Sequence, residues 1–383
     1  METTDKQAPS HLVRAGAQGL VVRSSALVAR GLRDLARDSN WIIKKAFNGK
    51  AAHLAISPTG QLSAILQGAP HLAHRSPQRV VLYDIELSVP TMALAVPNES
   101  VVAAADSAAV FGWSPTGRYL VGAWTAWQPA LHIFDLHGKM LLGEFGAFRS
   151  VPQSLAWSET GKYFAAASSG RKAASLRLWS AKQDASEQHG PPAGPATREI
   201  GVPDSIEPQQ YGEEFAEEGS FRGYGKAAFS PNESLLASVL EIQGEWADDS
   251  IILLDVPDMK RQVVFAAQGH ITDLTWLPGG QQIVYCAAGQ SYQLDVDSLN
   301  FEALPFGAEL CACHPHFPLC VCFSSWLKNS AKGRVFLADL SRQTVFDEYP
   351  AEGVVDLCWS LDGSKAYAVT RDGMAYIYDP PLI

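Results

Sequence analysis

The chain has little charge of either sign and no long apolar run. Charged residues make up 18% of its 383 positions. No apolar stretch reaches the roughly 18–20 residues that a membrane helix needs, which argues against a membrane span. Basic residues are in the minority, 30 Lys and Arg against 40 Asp and Glu, for a net charge of −10. Nucleic-acid binding is thereby disfavoured, since a phosphate-binding groove needs clustered Lys and Arg. Cysteine is sparse, at six residues. The first residues, Met1 to Lys6, lack the basic region and unbroken apolar core of a secretory leader. The cysteines are therefore expected to be reduced thiols and the location cytoplasmic. Familiar catalytic signatures are missing: Gly-x-x-x-x-Gly-Lys, His-Glu-x-x-His and Gly-x-Ser-x-Gly do not occur. Ser325-Trp-Leu-Lys328 matches Ser-x-x-Lys, a short and common pattern.

Glycine and proline are plentiful, 31 and 23 residues spread along the chain, which fits many short strands and turns better than long helices. Seven times an apolar residue, usually aromatic, precedes a tight turn and a second strand. In order these are Ile56-Ser-Pro-Thr-Gly60, Trp113-Ser-Pro-Thr-Gly117, Trp157-Ser-Glu-Thr-Gly161, Phe229-Ser-Pro-Asn232, Trp276-Leu-Pro-Gly-Gly280, Cys313-His-Pro-His316 and Trp359-Ser-Leu-Asp-Gly363. A third run in each unit closes on an apolar residue and then, usually, Asp. The seven pairs are Tyr83-Asp84, Phe134-Asp135, Trp179-Ser180, Leu254-Asp255, Leu294-Asp295, Ala338-Asp339 and Tyr378-Asp379. Asp suits that place because its carboxylate bonds backbone N–H groups in the following turn. Two sets of marks in phase over seven units make a repeat architecture of four-stranded meanders, a seven-bladed β-propeller.

The marks resemble those of the WD40 family, over about residues 41–383. The clearest unit is Gly269-His270 followed by Ile-Thr-Asp-Leu-Thr-Trp276. One unit alone keeps the Gly-His pair and none ends in the literal Trp-Asp, so the resemblance is to a degenerate member. The buried His–Asp–Ser–Trp network of regular members is not expected here. The last unit ends after its third strand, and Trp41-Ile-Ile-Lys-Lys-Ala-Phe47 is expected to supply its fourth, closing the ring.

Outside the repeat, residues 1–18 read as a disordered tail and 19–40 as an extension. Within it, Leu27, Leu32 and Leu35 suggest a short capping helix over 25–37. Residues 1–50 carry +5 and residues 182–224 carry −6, an asymmetry typical of solvated segments. The stretch 182–224, Pro- and Gly-rich and then acidic, is an insertion between the third and fourth units. Its Thr197–Val202 segment is the expected outer strand of the third blade.

Three constellations are chemical candidates. Cys311, Cys313, Cys320 and Cys322 flank a His-Pro-His turn, and alternation places all four on one sheet face if Cys313 opposes Cys320. Core packing is the favoured reading there, with zinc, assisted by His314 and His316, and a redox-active group as the alternatives. Three residues before the markers stand His53, Val110, Ser154, Lys226, Asp273, Leu310 and Asp356. Of these, Asp273 and Asp356, with Glu309, would form an acidic channel mouth open to a hard cation. Last, Trp124, Trp127, Trp246 and Trp326 follow second strands, where exposed Trp would anchor a partner. By the family resemblance, that face is where partners dock. The sequence thus predicts a non-catalytic scaffold without cofactor, monomeric by itself, binding a protein or peptide there. The alternative is a hydrolytic or metal-binding propeller using the acidic mouth.

Overall fold

The computed structural model describes residues 40–48, 51–66, 79–95, 109–124, 130–145, 148, 150, 152–169, 174–180, 209–211, 221–242, 248–325 and 333–379. They form seven four-stranded antiparallel sheets, with no helix among the described residues. No helix there is long and apolar enough to cross a membrane. The proposed tail, the helix over 25–37 and Thr197–Val202 lie outside the described residues.

Each sheet is a meander whose first strand is innermost. The seven inner strands are Ala51–Ile56, Ala109–Trp113, Pro152–Trp157, Phe221–Phe229, Ile271–Trp276, Leu310–Cys313 and Val354–Trp359. Each inner strand lies against the next, and the seventh lies against the first, so the sheets form a closed ring, a β-propeller. The expected fold class is therefore present. Blade numbers below follow this order.

The turn after each marker explains its sequence. Ser114, Ser158, Ser230 and Ser360 follow the marker, and each Oγ accepts the N–H that opens the next strand, from Tyr119, Tyr163, Leu235 and Lys365, at 2.8–3.0 Å. The glycine three residues on has φ of +75° at Gly60, +69° at Gly117 and +71° at Gly363. L side chains rarely adopt this left-handed backbone, hence the glycine. The Asp closing each third strand works as expected in several blades. Asp84, Asp135, Asp295 and Asp339 accept turn N–H groups from Leu87, His137, Ser298 and Ser341.

Blade 7 closes as the sequence predicts. Trp41–Lys45 pairs antiparallel with Met374–Tyr378, Trp41 opposite Tyr378 and Lys45 opposite Met374. Beyond that strand the Ala46 N–H donates to the Gly373 carbonyl at 2.8 Å. Phe47 is then buried against Tyr83 of blade 1, ring centroids 5.4 Å apart. One amino-terminal segment thus completes blade 7 and packs on blade 1.

Blade 3 differs from expectation. Its outer strand is Gln209–Tyr211, paired with Leu176–Leu178, rather than Thr197–Val202. The fourth inner strand begins at Phe221, inside the expected insertion. A strand of three residues is too short for hydropathy patterning to reveal.

Among the described residues the apolar core is divided by seams, not by blades. Each cluster joins two neighbouring sheets. Leu82 and Trp113 share one, for example, and Val321 shares another with Trp359. All seven seams have such a cluster. Phe47→Ala should therefore cost about 3–5 kcal/mol, the usual cost of truncating a buried Phe. Deleting residues 41–47 should cost more, because it also bares the Met374–Tyr378 edge. Denaturant unfolding checks both, and a deletion no worse than Phe47→Ala would show that the edge strand adds nothing.

Candidate functional site

The inner strands carry a regular set of hydrogen bonds across the seams. At four of them the marker tryptophan donates its indole N–H to a carbonyl of the preceding blade. Trp113 reaches Ala55 (3.2 Å), Trp157 reaches Gly112 (3.3 Å), Trp276 reaches Ala228 (3.0 Å) and Trp359 reaches Ala312 (2.9 Å). In each case the acceptor is the residue just before the preceding blade's marker.

Blades 1, 4 and 6 have Ile56, Phe229 and Cys313 as markers and cannot make that bond. Their seams use a different one. The Ser154 hydroxyl accepts the Ala227 N–H (3.0 Å), Asp273 Oδ2 accepts Cys311 N–H (3.0 Å) and Asp356 Oδ2 accepts Ile56 N–H (2.7 Å). The acceptors are the polar residues three positions before Trp157, Trp276 and Trp359. Each seam therefore has one of the two bonds.

This arrangement assigns the acidic channel mouth a task. Asp273 Oδ1 takes the Leu274 N–H at 3.0 Å and the Lys226 ammonium at 2.9 Å. Asp356 Oδ1 takes the Leu357 N–H at 3.0 Å. Both carboxylates have each oxygen engaged. The Glu309 carboxylate instead accepts the Ser325 hydroxyl at the end of the second strand of its own blade. The Ser325 hydroxyl is thus a hydrogen-bond donor to Glu309, and Lys328 lies outside the described residues. Among the described residues no group of three or more His, Cys, Asp or Glu side chains is placed to hold a metal ion.

The electrostatics follow from that packing. The Asp273 carboxylate beside it raises the Lys226 ammonium above the usual lysine range. Burial pushes the Asp356 carboxyl up to about 6, opposed by the Ile56 N–H and the Lys226 charge.

The cysteine group is placed as alternation requires. Cys311 opposes Cys322 and Cys313 opposes Cys320. They pack with Cys286 of blade 5 in the apolar cluster of the blade 5–6 seam, and all six cysteines are free. That is the packing reading of these residues.

His314 was not singled out as a seam residue by its sequence. It takes the place that serine has after most markers, and it is buried with its ring 4.6 Å from Trp359 of blade 7. Its Nδ1 accepts the N–H groups of His316 (2.9 Å) and Phe317 (3.1 Å). Burial pushes the imidazole down to about 4 from the ordinary 6.5. The signal available in the sequence was a histidine at a serine position.

A two-member piece of the unexpected histidine network is also present. Buried Asp249 lies 2.7 Å from His270 Nδ1 and accepts the N–H groups of Ile271 and Ile242. Trp276 takes no part, since its indole N–H is spent on Ala228. Trp124 ends the second strand of blade 2, opposite Ala109. Its side chain lies outside the described residues, as do Trp127, Trp246, Trp326 and the His53 side chain.

No family model matches the chain, and no curated protein sequence matches it. Among solved structures it is similar to the hydrazine synthase of Kuenenia stuttgartiensis, with a TM-score of 0.60 and 14% identity over 88% of this chain and 97% of that one. Likeness at that identity carries the fold and no chemistry.

Two expectations follow. Trp276→Phe removes part of a buried ring and leaves the Ala228 carbonyl without its indole partner, while Asp273→Ala strands the Cys311 N–H, so unfolding should show a loss of about 1–3 kcal/mol for each. Equal stability of Asp273→Ala and wild type would remove the seam role. Separately, the unfolded chain protonates His314 near 6.5 and the fold only near 4. On acidification the unfolded state therefore binds the proton first, and stability falls between those values, by on the order of 3 kcal/mol from this group. His314→Ser should flatten the curve in that window, and an unchanged slope would contradict the assignment.

Proposed function

We propose that the chain is a degenerate WD40-like propeller acting as a non-catalytic platform. It binds a protein or peptide on the face that carries the second-to-third-strand loops. The family assignment rests on the Trp-Ser-Pro-x-Gly and aromatic-Asp marks, and on Gly269-His270 with its Asp249 contact.

One observation carries the choice of face. The turns between first and second strands are uniform, four to six residues, and anchored by their own side chains. The opposite connections run from two residues, 288–289, to 67–78, and include 125–130, 243–249 and 325–333. Variation on one face of a rigid scaffold is where binding residues concentrate. Three of those long loops carry Trp127, Trp246 and Trp326 in sequence, and Trp124 immediately precedes one. Tryptophan is an enriched hot-spot residue at interfaces.

The catalytic alternative, an acidic site of Asp273, Glu309 and Asp356, is weakened by the work those groups already do. Their oxygens bond backbone amides, Lys226 and Ser325. A cytoplasmic, monomeric protein without cofactor remains part of this reading. A second reading has its own observation. Leu87, Phe317 and Leu361, on the tight-turn face of blades 1, 6 and 7, are 71%, 58% and 51% exposed. A partner docking there would use the other face.

The test is affinity purification with wild type, a Trp124→Ala/Trp246→Ala/Trp326→Ala variant, and a Leu87→Ser/Phe317→Ser/Leu361→Ser variant. The expected result is loss of the same interactors from the tryptophan variant alone, with its melting temperature unchanged. Loss from the second variant alone moves the site to the tight-turn face. Stoichiometric bound Ca²⁺ or Zn²⁺ on the purified protein would favour the metal-binding alternative.

A further inference from the structure

Five of the six cysteines meet at one seam. Cys311, Cys313, Cys320 and Cys322 come from the inner hairpin of blade 6, and Cys286 faces them from blade 5. The Cys320 thiol donates to the Val321 carbonyl at 3.5 Å, and all five side chains share one apolar cluster. Packing alone accounts for a buried thiol. It does not account for two cysteine pairs directly opposite each other on one hairpin.

Antiparallel ladders alternate hydrogen-bonded with non-hydrogen-bonded pairs, and in the latter the Cα atoms approach to about 4.5 Å with side chains close. The His314 N–H donates to the Leu319 carbonyl at 2.8 Å, so His314 and Leu319 are a hydrogen-bonded pair. By alternation Cys313 and Cys320, one step along, fall at a non-hydrogen-bonded position, as do Cys311 and Cys322. That spacing lies within the range of roughly 4.4–6.8 Å that a disulfide spans.

Access separates the two pairs. Cys311 and Cys322 are both buried, at 5% and 0% exposure. Cys320 is equally buried, and Cys313 is the one half-buried member of the four. A small reagent therefore meets Cys313 first and finds its partner directly behind it.

We propose that Cys313 and Cys320 are a redox-active dithiol, which a hydroperoxide oxidises to a cross-strand disulfide. Cys313 gives its proton to solvent and its sulfur attacks the peroxide. The O–O bond breaks, an S–O bond forms, and the leaving alkoxide or hydroxide takes up a proton. The Cys320 sulfur then attacks the Cys313 sulfur. The S–O bond breaks, and the hydroxide leaves as water with the proton of Cys320. In sum two thiols are oxidised and one hydroperoxide is reduced, giving a disulfide, an alcohol (or water) and water. Burial keeps the Cys320 thiol protonated until that step, since it pushes the group well above the usual thiol range. A solvent-reachable sulfur backed by a protected second thiol is the arrangement that favours closure over further oxidation.

The experiment exposes the full-length protein to a small excess of hydrogen peroxide. Thiols are then counted by alkylation, and the linked residues are mapped by mass spectrometry of a non-reducing peptic digest. Two of the six thiols should disappear and return with dithiothreitol, and the map should join Cys313 to Cys320. Cys313→Ser and Cys320→Ser should each abolish the paired loss. Cys358→Ser, which removes the other half-buried cysteine, should leave it unchanged. The wild-type map stands whether or not the hairpin variants fold. Retention of all thiols, a link between any other pair, or accumulation of sulfinic acid on one cysteine would overturn the proposal.

Discussion

Every seam of the ring carries one of two directional hydrogen bonds between inner strands. Sheets in this fold touch their neighbours through apolar side chains, and such contacts fix distance without fixing register. A directional bond between inner strands supplies the register. Four seams use an indole N–H given to the preceding blade, and three use a hydroxyl or carboxylate that accepts from the following blade. The two devices run in opposite chemical directions and satisfy the same need. A backbone group at the crowded centre of the ring would be costly to leave unpaired.

The same division decides what the channel offers to chemistry. Asp273 and Asp356 bond backbone N–H groups of the following blades, whose markers Cys313 and Ile56 lack an indole to give. Lys226 then balances Asp273. The raised Asp356 carboxyl has its cause in burial and its company in backbone amides. A cluster that would pass for a catalytic group by composition is thereby accounted for by architecture. The rim is where the blades differ, since its connections vary in length from blade to blade.

Much of the ring was legible in the chain. The markers and the Asp at third-strand ends named all seven blades, and the missing fourth strand of blade 7 pointed to Trp41–Phe47. Strand alternation put the four cysteines on one face once Cys313 was set opposite Cys320, and the structure supplies that opposition. The seam bonds were only half legible. In the sequence the markers show as apolar, usually aromatic residues before a turn, and nothing there assigns their N–H groups a partner. A pairing was nonetheless present in the sequence: Ser154, Asp273 and Asp356 occur in the blades whose successors have a non-tryptophan marker. The outer strand of blade 3 was not legible, because three residues with two glutamines carry no strand periodicity. His314 was hidden for another reason. Its burial comes from Trp359 in the next blade, a contact of tertiary origin.

Ser154→Ala tests the seam account most directly, because it removes one oxygen and nearly nothing else. Ser154 and Ala227 are both buried, at 4% and 3% exposure. Equilibrium unfolding of that variant should show a loss of about 1–3 kcal/mol, the cost of stranding a buried N–H. Stability indistinguishable from the wild type would mean that the inner-strand bond does not hold this seam, and the account of the ring would fail.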